Sequence, residues 1–173
     1  MALPHYLYEN ISIMINALEP LNAEEKNLLT QSLPMVAILI GKADGDLDVK
    51  ELELAKKIAH IRTFNSPEYL QSFYEDVESK FDDHLNDLNT SLPGDSELRG
   101  EVLAQKLADL NPALAKLHPK VGAQLYKGLL RFAQEIAKAS GGFLGFMAVN
   151  SAESKWVGLP MLDPVVYDED EEE

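Results

Sequence analysis

Cysteine is absent from this 173-residue chain. Disulfides, thiolate nucleophiles, Cys-ligated zinc and Cys-held iron–sulfur clusters are therefore excluded, and the composition fits a reducing compartment. Long hydrophobic runs are missing too. The longest, Leu33 to Ile40, is eight residues, far short of the roughly 20 that a membrane helix needs. Met1 to Tyr6 carries no basic patch before a long apolar run, so no targeting segment is expected and a soluble, cytoplasmic protein is. With 10 Gly and 9 Pro the chain is neither collagen-like nor disordered by composition. Positive charge is scarce as well, with 15 Lys+Arg against 29 Asp+Glu and a formal net charge of -14. The last six residues, Asp168 to Glu173, are all acidic, and the rest of the chain still stands at -8. Such a chain repels phosphate backbones and anionic bilayers, so nucleic acid and membrane surfaces are not expected partners. Cationic partners and metal ions remain open.

What is present is helical. Apolar residues make up 46%, and the length suits one domain with a sizeable core. Asn22-Ala23-Glu24-Glu25 reads as a capping box. Pro34 interrupts the stripe begun by Leu28 and Leu29, which predicts a boundary or kink near Ser32 and a separate, central buried helix from Pro34 to Lys42. Asp48 with Glu51 is a second capping box. The helix behind it carries Leu52, Ala55, Ile58 and Ala59 on one face, with His60 at its end, where an imidazole caps or meets the dipole. Ser66-Pro67 starts a helix with Tyr69, Phe73 and Val77 four apart. A short acidic helix follows over 81–89, and Leu92-Pro93-Gly94-Asp95 is the clearest break. A helix over 96–110 and a long one over 119–139 come next, the latter with Val121, Leu125, Leu129, Phe132 and Ile136 inward. Asn150-Ser151-Ala152-Glu153 is a third capping box, opening a last helix to about Leu159. The expected fold is an all-α, single-domain bundle of about seven to nine helices. It divides into an N-terminal helix over 1–21, a body over 22–162 and an acidic tail over 163–173. Gly41 to Gly45 and Ala137 to Gly141 each close a buried helix ahead of a loop and a capped helix, which suggests two related halves.

Asp44, Asp46, Asp48 and Glu51 place four carboxylates within eight residues. Their mutual repulsion would be relieved by a hard cation such as calcium or magnesium. The segment starts like an EF-hand loop but has Val49 at position six and Ala55 at position twelve, so it is no standard EF-hand. Capping explains Asp48 and Glu51 equally well, and a turn explains Asp44 and Gly45. Asp46 adds charge that capping does not require. Both readings stand.

Lys42-Ala43-Asp44-Gly45-Asp46-Leu47-Asp48-Val49-Lys50-Glu51, entered from an apolar helix, resembles the TerB-like family of tellurite-resistance-associated proteins. Ala139 to Phe146 followed by Glu153 resembles the second half of certain members, and the likeness spans roughly 22–162. The resemblance implies an all-helical fold of two related halves, a stress-related role and a metal held by motif acids. Those acids are Asp44 and Glu51 in the first half and Glu153 in the second. Ser140 departs from the pattern, standing where a full second motif has Asp.

No His-x-x-x-His spacing, Gly-x-Ser-x-Gly elbow, dinucleotide fingerprint or Walker loop occurs. Residues 141–149 hold Phe143, Leu144, Phe146, Met147 and Val149, which suits either a loop folded onto the core or a patch meeting a partner or a second copy. Three functions follow. The first is a non-enzymatic TerB-like stress protein binding a divalent cation at Asp44, Asp46, Asp48, Glu51 and Glu153. The second is a metal-free adaptor docking a protein through 141–149. The third is a metal-dependent enzyme with acids from both halves.

Overall fold

The computed structural model describes residues 17–41, 49–140 and 155–168. Among these, six helices account for the regular structure: α1 (Ala23–Gly41), α2 (Val49–Asn65), α3 (Glu68–Ser91), α4 (Ser96–Ala108), α5 (Leu110–Lys116) and α6 (Pro119–Ser140). Five of them are longer than ten residues and α5 has seven. The expected all-α bundle is present, organised around one core. None of the helices is long and apolar enough to cross a membrane.

The centre of the bundle is α1, which touches each of the other five helices. Its residues from Leu33 to Gly41 are all buried, so this helix needs no polar face. Its start is the expected capping box. The Asn22 amide donates to Glu25 Oε2 at 3.0 Å, and the Glu25 amide donates to Asn22 Oδ1 at 2.9 Å.

Pro34 does not divide this helix, contrary to the boundary expected near Ser32, and α1 runs through it from Ala23 to Gly41. A proline inside a helix costs about 3 kcal/mol. Burial of one large apolar side chain returns about 1.5–3 kcal/mol, and α1 buries Met35, Val36, Ile38, Leu39 and Ile40 just beyond the proline. The Ser32 hydroxyl donates to the Leu29 carbonyl at 2.6 Å, which satisfies a polar side chain in that apolar setting.

A second correction concerns α3. The helix starting after Ser66-Pro67 and the short acidic helix over 81–89 are one element of 24 residues. Leu70, Phe73, Tyr74, Val77, Phe81, Leu85 and Leu88 continue a single buried face across the supposed junction. Pro67 is the residue before the helix rather than its first member. The Leu92–Asp95 break is present, and Asp95 Oδ1 accepts from the Leu98 amide at 2.9 Å to start α4. All five inward residues predicted for the long helix, now α6, are buried. The last expected helix differs from what is described: residues 155–158 form a turn, and 159–168 contain no helix. The expected N-terminal helix is described only over 17–21, where the chain turns and Leu21 enters the core.

Candidate functional site: a cationic cleft between three helices

Asp44, Asp46, Asp48 and Glu153 lie outside the described residues, as does the apolar segment 141–149. Glu51 falls in the first turn of α2, but its side chain is also outside them. The structure therefore brings none of these five carboxylates together or apart. Among the described residues no group of three or more His, Asp and Glu side chains is placed to hold a metal.

Of the histidines, His60 departs from expectation. Because α2 continues to Asn65, His60 is not at its end. Its Nδ1 instead lies 2.7 Å from Glu78 Oε1 on α3. His118 Nδ1 accepts from the Lys120 amide at 3.2 Å as α6 begins. The α2–α3 groove around His60 is crossed by the Lys56–Asp82 ion pair and by the His60–Glu78 contact, which join the two helices.

A different site emerges where the end of α2, the start of α3 and one face of α6 meet. These elements enclose a cleft of about 290 Å³. Its α6 wall is Gln124, Lys127, Gly128, Arg131 and Glu135, residues that recur at helical spacing and so share one face. Arg62 and Asn65 come from α2, with Ile58 and Ile61 beside them, and Ser66, Pro67, Leu70 and Tyr74 close the third side.

Arg62 is held from several directions. Its guanidinium carbon is 5.8 Å from the centroid of the Phe132 ring, and its Nη2 is 3.4 Å from Glu135 Oε2. The Tyr74 hydroxyl lies on the same side of Gly128 as the guanidinium, close enough to feel its charge. The Arg62 side chain is only 16% exposed, against 48% for Glu135. Burial pushes the Tyr74 hydroxyl above the ordinary tyrosine range, and the nearby Arg62 charge opposes that shift without cancelling it. Tyr74 therefore keeps its proton at neutral pH.

Gly128 makes this arrangement possible. A Cβ there would lie 2.8 Å from Tyr74 Oη and 3.5 Å from Arg62 Nη1. A side chain on α6 at this point would displace the hydroxyl from beside the helix. The absence of a side chain is what lets the two polar groups share the cleft wall.

Two further features favour negative charge. Ser66 Oγ is buried and has no hydrogen-bond partner among the described residues. Pro67, at the start of α3, supplies no side-chain acceptor for the first turn. The positive end of α3, equivalent to about half an elementary charge, thus has no side-chain cap where it borders the cleft. Lys127 and Arg131 are exposed and have no carboxylate partner within 4 Å among the described residues. Among the described residues, three cations and one carboxylate line this space, with Ile58, Ile61, Pro67 and Leu70 as its apolar lining.

None of these residues stands out in the linear sequence. Arg62 and Arg131 are 69 positions apart, and their approach depends on how α2 packs against α6. The available signal was the polar face of α6, with a glycine between Lys127 and Arg131. No family model matches the chain, and no curated protein or solved structure does.

Proposed function

We propose that this chain is a non-enzymatic helical binding protein whose cleft between α2, α3 and α6 takes a small anion. One observation carries the reading: in a chain of net charge -14, Arg62, Lys127 and Arg131 converge on one cleft where Glu135 is the single opposing carboxylate among the described residues. Concentrating scarce positive charge at one concave place focuses the local field. The lining pairs polar groups with apolar walls, the usual make-up of ligand sites, and its volume is near the lower end of the ~300–1,000 Å³ common for them. Binding rather than catalysis is the reading because the protonated Tyr74 is a donor, and among the described residues no histidine lines the cleft to activate Ser66.

The test is a titration of the full chain with small anions, followed by amide chemical shifts and calorimetry. Arg131→Ala is expected to weaken binding about tenfold, with an unchanged melting temperature because Arg131 is exposed. Anions that shift no resonance of α2, α3 or α6 at millimolar concentration would refute the reading.

A second reading keeps the TerB-like resemblance, with two related halves, a stress-related role and a divalent cation at Asp44, Asp46, Asp48, Glu51 and Glu153. It is favoured by the placement of the helices around the first motif. α1 is described up to Gly41 and α2 from Val49, so the two helices flank the motif on either side. The helices entering the two motifs, α1 and α6, also pack against each other. Native mass spectrometry of metal-stripped protein with calcium, magnesium, manganese or zinc tests it. One stoichiometric ion, lost in Asp44→Ala, is expected; no saturable ion would end this reading.

A further inference from the structure

We propose that the anion taken by this cleft is a carboxylate on a compact apolar body, and that Glu135 is a built-in competitor for Arg62. The proposal rests on the anion-binding reading above and adds the class of ligand and a means of tuning its affinity.

The contact between Arg62 and Glu135 is the starting point. Arg62 presents a planar fork able to hold a carboxylate through two parallel bonds of about 2.7–2.9 Å. Glu135 meets it through one oxygen at 3.4 Å, a long and single contact. The two partners are unequally placed, since the arginine is mostly covered and the glutamate side chain is 48% exposed. Glu135 is therefore able to turn outward while Arg62 stays, covered and stacked over the Phe132 ring. An incoming carboxylate replaces a poor bond with a better one.

The rest of the cleft selects the body of the ligand. The protonated Tyr74 hydroxyl, beside the Arg62 guanidinium, has a hydrogen to offer a carboxylate oxygen. Ser66 Oγ adds a hydroxyl that has no partner among the described residues. Beyond these donors the accessible apolar walls are Ile58, Ile61 and Pro67. Inorganic phosphate would satisfy the cations but leave that apolar surface wet. A benzoate-like molecule covers it and gains the free energy of removing both surfaces from water.

The experiment titrates the full-length chain and its Glu135→Gln variant with benzoate, inorganic phosphate and benzyl alcohol, read by calorimetry and amide shifts. Benzoate is expected to bind at the cleft about tenfold more tightly than phosphate. Glu135→Gln is expected to tighten benzoate about threefold, the size of a partly exposed ion pair. Equal or tighter phosphate binding at the cleft would overturn the proposal while leaving the anion-binding reading intact. So would benzoate affinity that is unchanged or weaker in Glu135→Gln, provided the variant melts with the parent. Benzyl alcohol binding as well as benzoate, or no shift with either anion, would overturn both readings.

Discussion

Glu25 illustrates how one side chain joins a local signal to the tertiary structure. Through Oε2 it accepts the Asn22 amide and completes the cap of α1; through Oε1 it pairs with Lys116 at the end of α5. The Lys116 hydrogen bond, followed by that of the Asn22 amide, holds its carboxyl below the ordinary value of 4.5. A lowered native pKa means that the unfolded chain binds the proton more readily. The resulting stabilisation is fully present above about pH 4.5 and is lost as pH falls through the native value. Glu25→Gln is therefore expected to lower the denaturation midpoint at pH 7, and the two midpoints should converge toward pH 2. A constant difference between the two chains at every pH would show that packing, not charge, is what the substitution changes.

At the scale of elements, the described C-terminal segment acts as a strap. An isolated helix of seven residues is unstable in water, yet α5 persists because other elements hold it. Asn111 clamps the strap to α5, donating from Nδ2 to the Met161 carbonyl at 3.0 Å and accepting from the Asp163 amide at 2.9 Å. Trp156 lies over Gly100 of α4, where a Cβ would come within 3.2 Å of the indole nitrogen. Between these contacts Leu159 adopts φ 45, the left-handed region. That conformation costs a residue with a Cβ about 1–2 kcal/mol. It persists because it places a fully buried leucine in the core, worth about 1.5–3 kcal/mol. The usual order of small residues should therefore invert at this position. Leu159→Ala is expected to cost about 2–5 kcal/mol. Leu159→Gly, which loses the same side chain but relaxes the backbone, should be more stable than Leu159→Ala by about 1 kcal/mol. Urea denaturation of the two variants measures the difference, and a less stable glycine variant would refute the strain argument.

For the whole molecule, the cationic cleft works against the net charge of the chain. At -14 the protein repels the anion that Arg62, Lys127 and Arg131 attract locally. Long-range repulsion is screened by salt more readily than close contacts are. Replacing the acids of 168–173 by their amides brings the net charge to -8. This full-length variant is expected to bind benzoate about twofold more tightly at 10 mM salt, where the Debye length is about 30 Å. The advantage should vanish near 1 M, where that length is about 3 Å. A difference that survives high salt would mean that the acidic residues act through direct contact rather than through the general field.

The amino-acid sequence by itself determined the all-α class, the cap at Asn22, the break at Leu92–Asp95, the start of α6 at Pro119 and the buried face of α6. Each rests on interactions within a few residues, or on helical spacing, which a linear reading contains. The tertiary structure decided what depends on neighbours distant in sequence. It kept α1 whole through Pro34, because core burial outweighs the local cost of a proline. It fused 68–91 into one helix, because Val77, Phe81 and Leu85 face the same core without a break. It also made the cleft, since Arg62, Tyr74 and Arg131 acquire a shared chemistry only when α2, α3 and α6 pack together. Local bonds start and stop helices; burial between helices decides which survive and which polar groups they bring face to face.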